Sequence, residues 1–179
     1  MTLSIAEPRA EERLTDRDWQ ASNTTRTLPS RATLSAATAG RREFRFPFDG
    51  GQLVVEIIGD APAWVEPTVK SLGKLLQLER NWDTYGGSPI DPTCVAAALR
   101  LAFDTFPSEM PMPSVVPTSR GGLQFEWHTR GIDLEVEFLS ATRVHGLFED
   151  ATTGVSWEKD ISSDLSPLVD AISTLSKRR

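Results

Sequence analysis

The sequence predicts a mixed α+β domain, in which helices pack on one face of an antiparallel sheet. Two patterns indicate this class. Several short runs alternate apolar with polar residues between turn residues, as half-buried strands do, and three other stretches repeat apolar residues every three or four positions, as amphipathic helices do. In chain order, we expect an N-terminal β-hairpin, an antiparallel helix pair, a four-stranded antiparallel meander and a C-terminal helix packed on one sheet face.

The N-terminal quarter of the chain has a different composition. Residues 1–42 are rich in Ala, Ser, Thr and Arg and contain a single aromatic residue, Trp19. Because such a segment buries little apolar surface, we predict a disordered tail over 1–42 and a single α+β domain over 43–179. If the tail folds on a partner protein, Leu14 and Trp19 are the expected anchors.

The predicted domain begins with the hairpin. Residues 43–48 alternate phenylalanine with other residues, an Asp-Gly-Gly turn follows, and residues 52–58 are apolar and β-branched. Pro47 has no N–H to donate to a neighbouring strand, so the first strand is expected at a sheet edge.

The two predicted helices have clear boundaries. Asp60 is the expected cap of the first helix, and Asp91-Pro92 starts the second, with a carboxylate that accepts free N–H groups and a proline suited to the first helical position. Pro107 ends the second helix. The predicted buried faces are Val65, Val69, Leu72 and Leu76 in the first helix, and Val95, Ala98, Leu99, Ala102, Phe103 and Phe106 in the second.

An unusual stretch, residues 79–90, joins these helices. It combines two large aromatics, two glycines, a proline, and Asn and Asp side chains. A flexible linker does not need large aromatics, so we predict a corner with one defined conformation. In this corner both rings enter the core, the glycines turn the chain, and the Asn and Asp side chains bond nearby backbone groups. The predicted corner residues are Asn81, Trp82, Asp83, Tyr85 and Gly86.

The second half of the chain predicts the meander and the last helix. Residues 107–117 carry four prolines and are expected to form an extended connection. Alternating runs then predict strands at 123–128, 132–138, 144–149 and 155–159. Ser163 is the expected cap of the last helix. Its predicted inner face is Leu165, Leu168, Val169, Ile172 and Leu175, and the tryptophans expected in the core are Trp82, Trp127 and Trp157.

The polar faces of the two central strands are the main candidate for chemistry. They carry Gln124, Glu126, His128, Asp133, Glu135 and Glu137. Carboxylates with an imidazole can bind a metal or act as acid and base. However, a half-buried strand needs a polar face in any case, and no HExxH or calcium-loop motif accompanies it. We therefore predict an acidic surface that meets a basic partner, and assign no catalytic, cofactor or metal residue.

Two other reactive side chains have structural explanations. Cys94 lies in the first turn of the second predicted helix, where the helix dipole can lower a thiol pKa, but a buried thiol is the prediction. His145 is expected to be a hydrogen-bonded strand residue. No local motif supports pairing the cysteine with either histidine.

Composition narrows the classes of function. The net charge of −6 argues against a nucleic acid as direct partner, because phosphate binding requires clustered Lys and Arg. The single cysteine excludes an intrachain disulfide. No apolar run approaches the ~20 residues of a membrane span, and the N-terminus lacks the apolar core of a signal peptide, so a cytoplasmic protein without a membrane partner is expected.

Part of the chain resembles a family of small bacterial proteins of uncharacterised function. The matching stretches are Leu78–Gly86 (LERNWDTYG), Pro89-Ile90, Val116-Pro117, Gly121–Trp127 (GGLQFEW) and the acidic strand Leu134–Phe138. They correspond to an NWDxYG…PI corner and a GGxQxEW strand, and they cover about residues 75–140. Gly87 stands where alanine is more usual. The resemblance implies a bacterial cytoplasmic origin, and it brings no activity, cofactor or catalytic residue.

These observations leave three hypotheses. The first is a non-enzymatic protein-binding module of a bacterial cytoplasmic system, with the antitoxin or immunity partner of a toxin as its specific form; it predicts that deleting residues 1–42 leaves the domain folded. Its expected binding residues are Leu14, Trp19, Glu126, His128, Glu135 and Glu137. The alternative is an enzyme or metal-binding domain that uses the last four. A further alternative is a small-ligand or regulatory module.

Overall fold

The computed structural model describes residues 3–6 and 40–178. These residues form two antiparallel sheets and three helices, so the predicted α+β class is confirmed. The strands are β1 (Leu3–Ala6), β2 (Arg41–Phe48), β3 (Gly51–Ile58), β4 (Ser114–Pro117), β5 (Leu123–Thr129), β6 (Ile132–Ser140), β7 (Arg143–Asp150) and β8 (Ser156–Asp160). The helices are α1 (Val65–Leu75), α2 (Pro92–Thr105) and α3 (Ser166–Lys177).

The first sheet contains the predicted hairpin. Its strand order is β1-β3-β2, so β2 lies at an edge, as Pro47 predicts. Phe44 pairs with Val55 and Phe46 with Leu53 across the hairpin. Gly50 in the turn has φ 95°, a left-handed conformation that glycine adopts without steric cost.

The boundary of the predicted disordered tail is wrong at both ends. Leu3–Ala6 forms β1, which pairs antiparallel with β3, and Arg41 and Arg42 belong to β2. A four-residue strand has too weak a local pattern to be recognised, and it forms because β3 supplies its hydrogen-bonding partner. Removing residues 1–42 would therefore uncover the second edge of β3. Residues 7–39, with Leu14 and Trp19, lie outside the described residues.

The second sheet contains the predicted meander and one additional strand. Its order is β4-β5-β6-β7-β8, and β5–β8 are the four predicted strands. The end of the predicted extended connection over 107–117 forms a strand, because β4 pairs with β5. An edge position makes this possible, since the missing N–H of Pro117 is not required there.

Of the caps predicted for the first two helices, one is correct. The Asp91 carboxylate accepts the Thr93 N–H at 2.8 Å and Pro92 is the first residue of α2, as predicted. Asp60 is not the cap of α1, which begins after Trp64 without a side-chain cap. A turn closed by the Val65 N–H and the Pro62 carbonyl separates Asp60 from the helix.

The core lies between the helices and the inner faces of the sheets. Helix α1 contacts β2 and β4, and α2 lies against β6. Phe106 packs edge-on against Phe125 and Trp127, with ring centroids 5.8 and 5.3 Å away. Trp127 is buried, as predicted, and its Nε1 donates to the Pro111 carbonyl at 2.8 Å. Trp157 is only half-buried, contrary to prediction, because β8 is an edge strand.

Helix α3 begins two residues later than a cap at Ser163 would require. Leu165 is the N-cap residue and makes no side-chain cap bond, while the Asp164 carboxylate accepts the Ser166 N–H at 2.9 Å. The buried face is therefore rotated relative to the prediction, and Leu165 and Val169 are exposed. The buried residues of α3 are Leu168, Ala171, Ile172 and Leu175.

The end of α3 is tied to the sheet by an ion pair. Arg178 donates from Nη1 and Nη2 to the two carboxylate oxygens of Asp150, each at 2.6 Å. The Asp150 side chain is buried and also accepts the Thr152 N–H. Arg178 therefore joins the end of α3 to β7.

Candidate protein-binding surfaces

The outer face of the five-stranded sheet carries a concentration of carboxylates. Strand register places the alternate residues of β5–β8 side by side, so that Glu126 is opposite Glu135, and Glu135 is opposite Leu147. The same register aligns Asp133 with Glu149. We call the resulting surface the acidic face, whose carboxylates are Glu126, Asp133, Glu135, Glu137, Glu149, Glu158 and Asp160.

The four sheet residues proposed from the sequence all lie on this face. Glu126 and Glu135 are a directly opposed pair, Glu137 is opposite His145, and His128 is opposite Asp133. Because antiparallel strands place alternate side chains on one face, the sequence pattern was sufficient to group them. Glu149, Glu158 and Asp160 were not predicted as site residues, since their place on the same face follows from strand order rather than from their own strands.

His128 is held between two carboxylates. Its Nδ1 lies 2.9 Å from Asp133 Oδ1 and its Nε2 lies 3.6 Å from Glu126 Oε2. The hydrogen bond with Asp133 raises the pKa of His128 above its ordinary value of 6.5, burial opposes the rise, and Glu126 adds to it. Falling pH therefore adds positive charge to the acidic face at His128.

Positive charge on the acidic face is sparse. Arg143 Nε lies 3.8 Å from Asp160 Oδ2, and His145 Nε2 lies 3.7 Å from Glu158 Oε1. Both distances exceed those of close hydrogen-bonded pairs, and the groups involved are largely exposed. The face therefore keeps a net negative charge that residues on the same face do not neutralise.

The alternative of a metal site finds no support in the geometry. Among residues 3–6 and 40–178, no group of three or more His, Cys, Asp or Glu side chains is arranged to hold a metal ion. Gln124 Nε2 donates to Glu135 Oε2 at 2.6 Å, so one of the predicted ligands already has a neutral partner.

A shallow recess of about 260 Å³ lies at one end of the acidic face. Asp133 and Glu149, which are cross-strand neighbours, stand at its edge. Val155, 54% exposed, adds an apolar wall. The recess thus combines negative charge with an apolar contact, as the long side chains of Lys and Arg require.

The corner between α1 and α2 is closed by its own polar groups. Asp83 Oδ1 accepts the N–H groups of Tyr85 and Gly87, at 2.9 and 2.8 Å. Asn81 Oδ1 accepts the Gly86 N–H at 2.8 Å, as predicted for this side chain. The bonds from Gly87 and Tyr85 lower the pKa of Asp83 below its usual 3.8, which keeps the carboxylate charged.

The corner also holds a strained backbone. Asn81 and Thr84 have φ of 69° and 64°, in the left-handed region that residues other than glycine rarely occupy. This conformation is sterically less favourable for a β-branched residue such as Thr84 than for an asparagine. The hydrogen bonds around Asp83 and Asn81 compensate for this strain and select one loop conformation.

Tyr85 is exposed, which contradicts the prediction that both aromatics enter the core. Its side chain is 93% exposed at the tip of the loop. Trp82 is half-buried, and its Nε1 donates to the Ser88 carbonyl at 3.0 Å. Because polar bonds close the loop, the corner does not need the tyrosine ring for its stability. No pattern in the sequence distinguishes an anchored aromatic from one held outward by a closed loop.

The base of the corner is attached to the turn between β4 and β5. The Ser88 N–H donates to the Ser119 carbonyl at 2.9 Å, and the Asp91 N–H donates to the Gly121 carbonyl at 2.8 Å. A Cβ at Gly121 would lie 2.8 Å from the Pro89 carbonyl oxygen, so this close approach requires glycine. The loop that carries Tyr85 is therefore attached at its base to the five-stranded sheet.

A groove of about 680 Å³ runs beside the corner. Its walls come from the tip of the β2–β3 hairpin and from both arms of the corner. The lining residues are Pro47–Asp49, Leu76–Arg80 and Pro89–Pro92.

Cys94 is buried, as predicted, and His145 lies on a strand, but among the described residues the predicted hydrogen bond of His145 is not formed, because its nearest carboxylate, Glu158, is 3.7 Å away. Cys94 is buried in α2. Burial first, and the nearby Asp91 carboxylate second, raise the pKa of the Cys94 thiol to about 11. His145 is half-buried on β7 and faces Glu137 and Asp160 across the strands.

Comparisons with protein-family models, with curated proteins and with solved structures found no match for this chain. The resemblance to small bacterial proteins therefore stays a prediction. In the part of the chain that the structure describes, no helix has the length and apolar character needed to cross a membrane.

Proposed function

We propose that this protein is a non-enzymatic binding module that recognises a basic partner protein through the acidic face. The observation that carries the proposal is the excess of carboxylates over cationic groups among the described residues of that face. Four of its seven carboxylates are exposed, namely Asp133, Glu149, Glu158 and Asp160. Complementary charge increases the rate and the specificity of association, and a basic protein surface supplies it.

The charge arrangement also has a cost for folding. Glu126 and Glu135 face each other directly, and like charges opposite each other destabilise a sheet. Their partial exposure, the Gln124 bond to Glu135 and the His128 ring beside Glu126 reduce this repulsion. A feature that opposes stability and serves no packing role is typical of a binding surface.

The recess at Asp133 and Glu149 offers a position for one basic side chain. Its volume of about 260 Å³ is large enough for a lysine or arginine end, and Val155 can contact the methylene groups. A partner that places one such side chain here would bind in a defined register on the acidic face.

Within this class, the specific form we propose is the antitoxin or immunity partner of a toxin in the bacterial cytoplasm. The resemblance to small bacterial proteins and the acidic charge support this form. Neutralising a basic partner requires surface complementarity and no catalytic group.

The proposal is tested by comparing captured proteins across charge variants of the full chain. The test variant combines Glu126→Gln, Glu135→Gln and Glu137→Gln. Tagged wild-type and variant proteins are exposed to native lysate of the source organism, and bound proteins are quantified by mass spectrometry. We expect a basic protein that wild type retains and the variant loses, with binding that weakens as salt rises.

A matched variant separates the acidic face from total charge. It removes three exposed carboxylates elsewhere on the described surface: Asp104→Asn, Glu109→Gln and Asp170→Asn. This control should keep the partner. If both variants lose the same proteins equally, or if neither loses any, the acidic face is not the binding site.

A further inference from the structure

Tyr85 and the groove beside it form a second candidate contact, which we call the corner face. It comprises Tyr85 and the lining residues Pro47–Asp49, Leu76–Arg80 and Pro89–Pro92. It lies apart from the acidic face in the chain, because its residues come from β2, the corner and the start of α2 rather than from β5–β8.

Tyr85 has the properties of a binding anchor. Its ring is 93% exposed, although tyrosine carries a large apolar area and few rotatable bonds. Tyrosines are enriched among the residues that contribute most to protein interfaces. Since no described residue covers it, the ring is available to fill a pocket on another molecule.

The loop beneath Tyr85 is organised before any partner arrives. Asp83 and Asn81 together accept three backbone N–H groups, and the Asn81 N–H donates to the Gly87 carbonyl at 2.7 Å. The left-handed Asn81 and Thr84 are held in place by these bonds. A fixed loop loses little conformational entropy on binding, which strengthens the interaction.

The groove has both apolar walls and negative charge. Half-buried Phe48 and Leu78 supply apolar surface. Three carboxylates lie along it, on Asp49, Glu79 and Asp91, against the single guanidinium of Arg80. The groove therefore suits an apolar side chain with a cationic neighbour.

We propose that the corner face binds a segment of the partner protein in which an apolar side chain stands next to a lysine or arginine. The apolar side chain enters the groove, its basic neighbour meets the carboxylates, and Tyr85 packs against the partner surface. This inference rests on the proposed function and extends it, since it names the partner chemistry at a second surface. A second copy of this chain is a poorer occupant, because it would bring the same excess of carboxylates to the groove.

Selection from a random peptide library tests this directly. Phage-displayed dodecapeptides are selected on immobilised full-length protein and counter-selected on Tyr85→Ala. We expect an enriched motif that pairs an apolar residue with Lys or Arg. A synthetic fluorescein-labelled peptide of that motif should bind Tyr85→Ala at least ~10-fold more weakly than wild type, the loss typical of a dominant anchor.

Two variants give the selection its controls. Met112→Ala removes a large apolar side chain that is also exposed, at 59%, and should leave peptide affinity within ~2-fold. Glu79→Gln should weaken binding and reduce its salt dependence. Because Tyr85 is exposed, circular dichroism should show an unchanged fold and unfolding midpoint for Tyr85→Ala.

The outcomes separate this inference from the proposed function. The triple Gln variant of the acidic face should bind the peptide as wild type does, because those residues do not line the groove. If no motif is enriched, if the motif lacks a basic residue, or if Tyr85→Ala binds it equally well, the inference is overturned, even where the acidic face retains its partner. If the peptide binds as expected but the acidic face loses no protein, the proposed function fails and the corner face remains.

Discussion

Cys94 lies in the first turn of α2, where the partial positive charge of a helix start ordinarily lowers the pKa of a thiol. Two stronger effects act in the opposite direction. The side chain is 1% exposed, so ionisation would place a charge in the core, and the capping carboxylate of Asp91 repels a thiolate. The pKa rises to about 11, which makes this residue a packing element.

The first prediction follows from this pKa. At pH 8 the Cys94 thiol should react with Ellman's reagent far more slowly in the folded protein than in urea-unfolded protein, because it is buried and protonated. The raised pKa also implies that its contribution to stability is complete below the ordinary value of 9.0 and is lost as pH rises from 9 towards 11. Rapid reaction of the native protein would contradict this assignment.

Asp150 and Arg178 form the second informative pair of residues. The carboxylate is buried on β7, and the guanidinium at the end of α3 is its charged partner. The bonds from Arg178, more than any other cause, hold the pKa of Asp150 well below its usual 3.8, although burial opposes this shift. Folding thus favours the ionised carboxylate, provided that the arginine is present.

The second prediction is that Arg178→Ala lowers the thermal unfolding midpoint by several degrees, because it leaves a buried carboxylate without its partner. In wild type, the stabilisation from Asp150 should be complete above pH 3.8 and lost as pH falls below that value. Arg178→Ala should show less of this acid dependence. Lys177→Ala, which removes the exposed neighbouring charge, is the control and should change little.

At the scale of elements, the contact between the N-terminal hairpin and α1 depends on one glycine. A Cβ at Gly73 would collide with the Phe46 ring, so the helix approaches β2 closely only because the side chain is missing. Glycine inside a helix ordinarily costs ~0.5–1 kcal/mol relative to alanine. The steric demand of the hairpin evidently outweighs that cost here.

The third prediction concerns whether a side chain at position 73 raises or lowers the free energy of unfolding. Gly73→Ala should lower the free energy of unfolding by ~1–3 kcal/mol, as overpacking does, instead of raising it as helix propensity alone would. Urea denaturation followed by tryptophan fluorescence measures the change. Ser71→Ala in the same helix is the control, and the Gly73→Ala, Phe46→Leu double variant should recover part of the loss. A stabilised Gly73→Ala protein would show that the ring moves aside freely.

The elements predicted correctly are those with a long local pattern. Alternation over five or more residues predicted β2 and β5–β8, an apolar β-branched run predicted β3, and Asp91-Pro92 predicted the start of α2. The two missed strands have one physical cause, which is that their conformation depends on distant partners. Strands β1 and β4 are four residues each and exist through pairing with β3 and β5.

At the scale of the whole molecule, the dominant feature is the separation of apolar and acidic surface across one sheet. The inner face of β5 and β6 is buried completely, whereas the outer face carries opposed carboxylates. Such charge lowers stability through repulsion that salt can screen. Stability and binding therefore make opposite demands on these residues.

The fourth prediction is that Glu126→Gln stabilises the protein. It removes one charge of the opposed Glu126–Glu135 pair, so the free energy of unfolding should rise by a few tenths of a kcal/mol at low ionic strength. The gain should shrink in ~0.5 M NaCl, which screens the repulsion in wild type. Denaturation at both salt concentrations measures it. Asp104→Asn, on α2, provides a matched neutralisation and should show no such gain.

The site residues that could be predicted are, like the correctly predicted elements, those with a local sequence pattern. The grouping of Glu126, His128, Glu135 and Glu137 follows from strand periodicity alone, so it was accessible from the sequence. The exposure of Tyr85 was not, because it depends on which hydrogen bonds close the loop. Asn and Asp side chains in such a stretch indicate a turn, but they do not specify which residue occupies its tip.

The corner also has a consequence for how its shape is encoded. The hydrogen bonds within the loop, such as Trp82 Nε1 to Ser88 O, span at most six positions along the chain. Its conformation is therefore determined mainly by a short contiguous sequence. Two backbone hydrogen bonds join it to other described residues, at Ser119 and Gly121. A unit with this degree of local order is portable: the same dozen residues, closed into a ring or inserted between two helices of another scaffold, carry the information needed to present Tyr85.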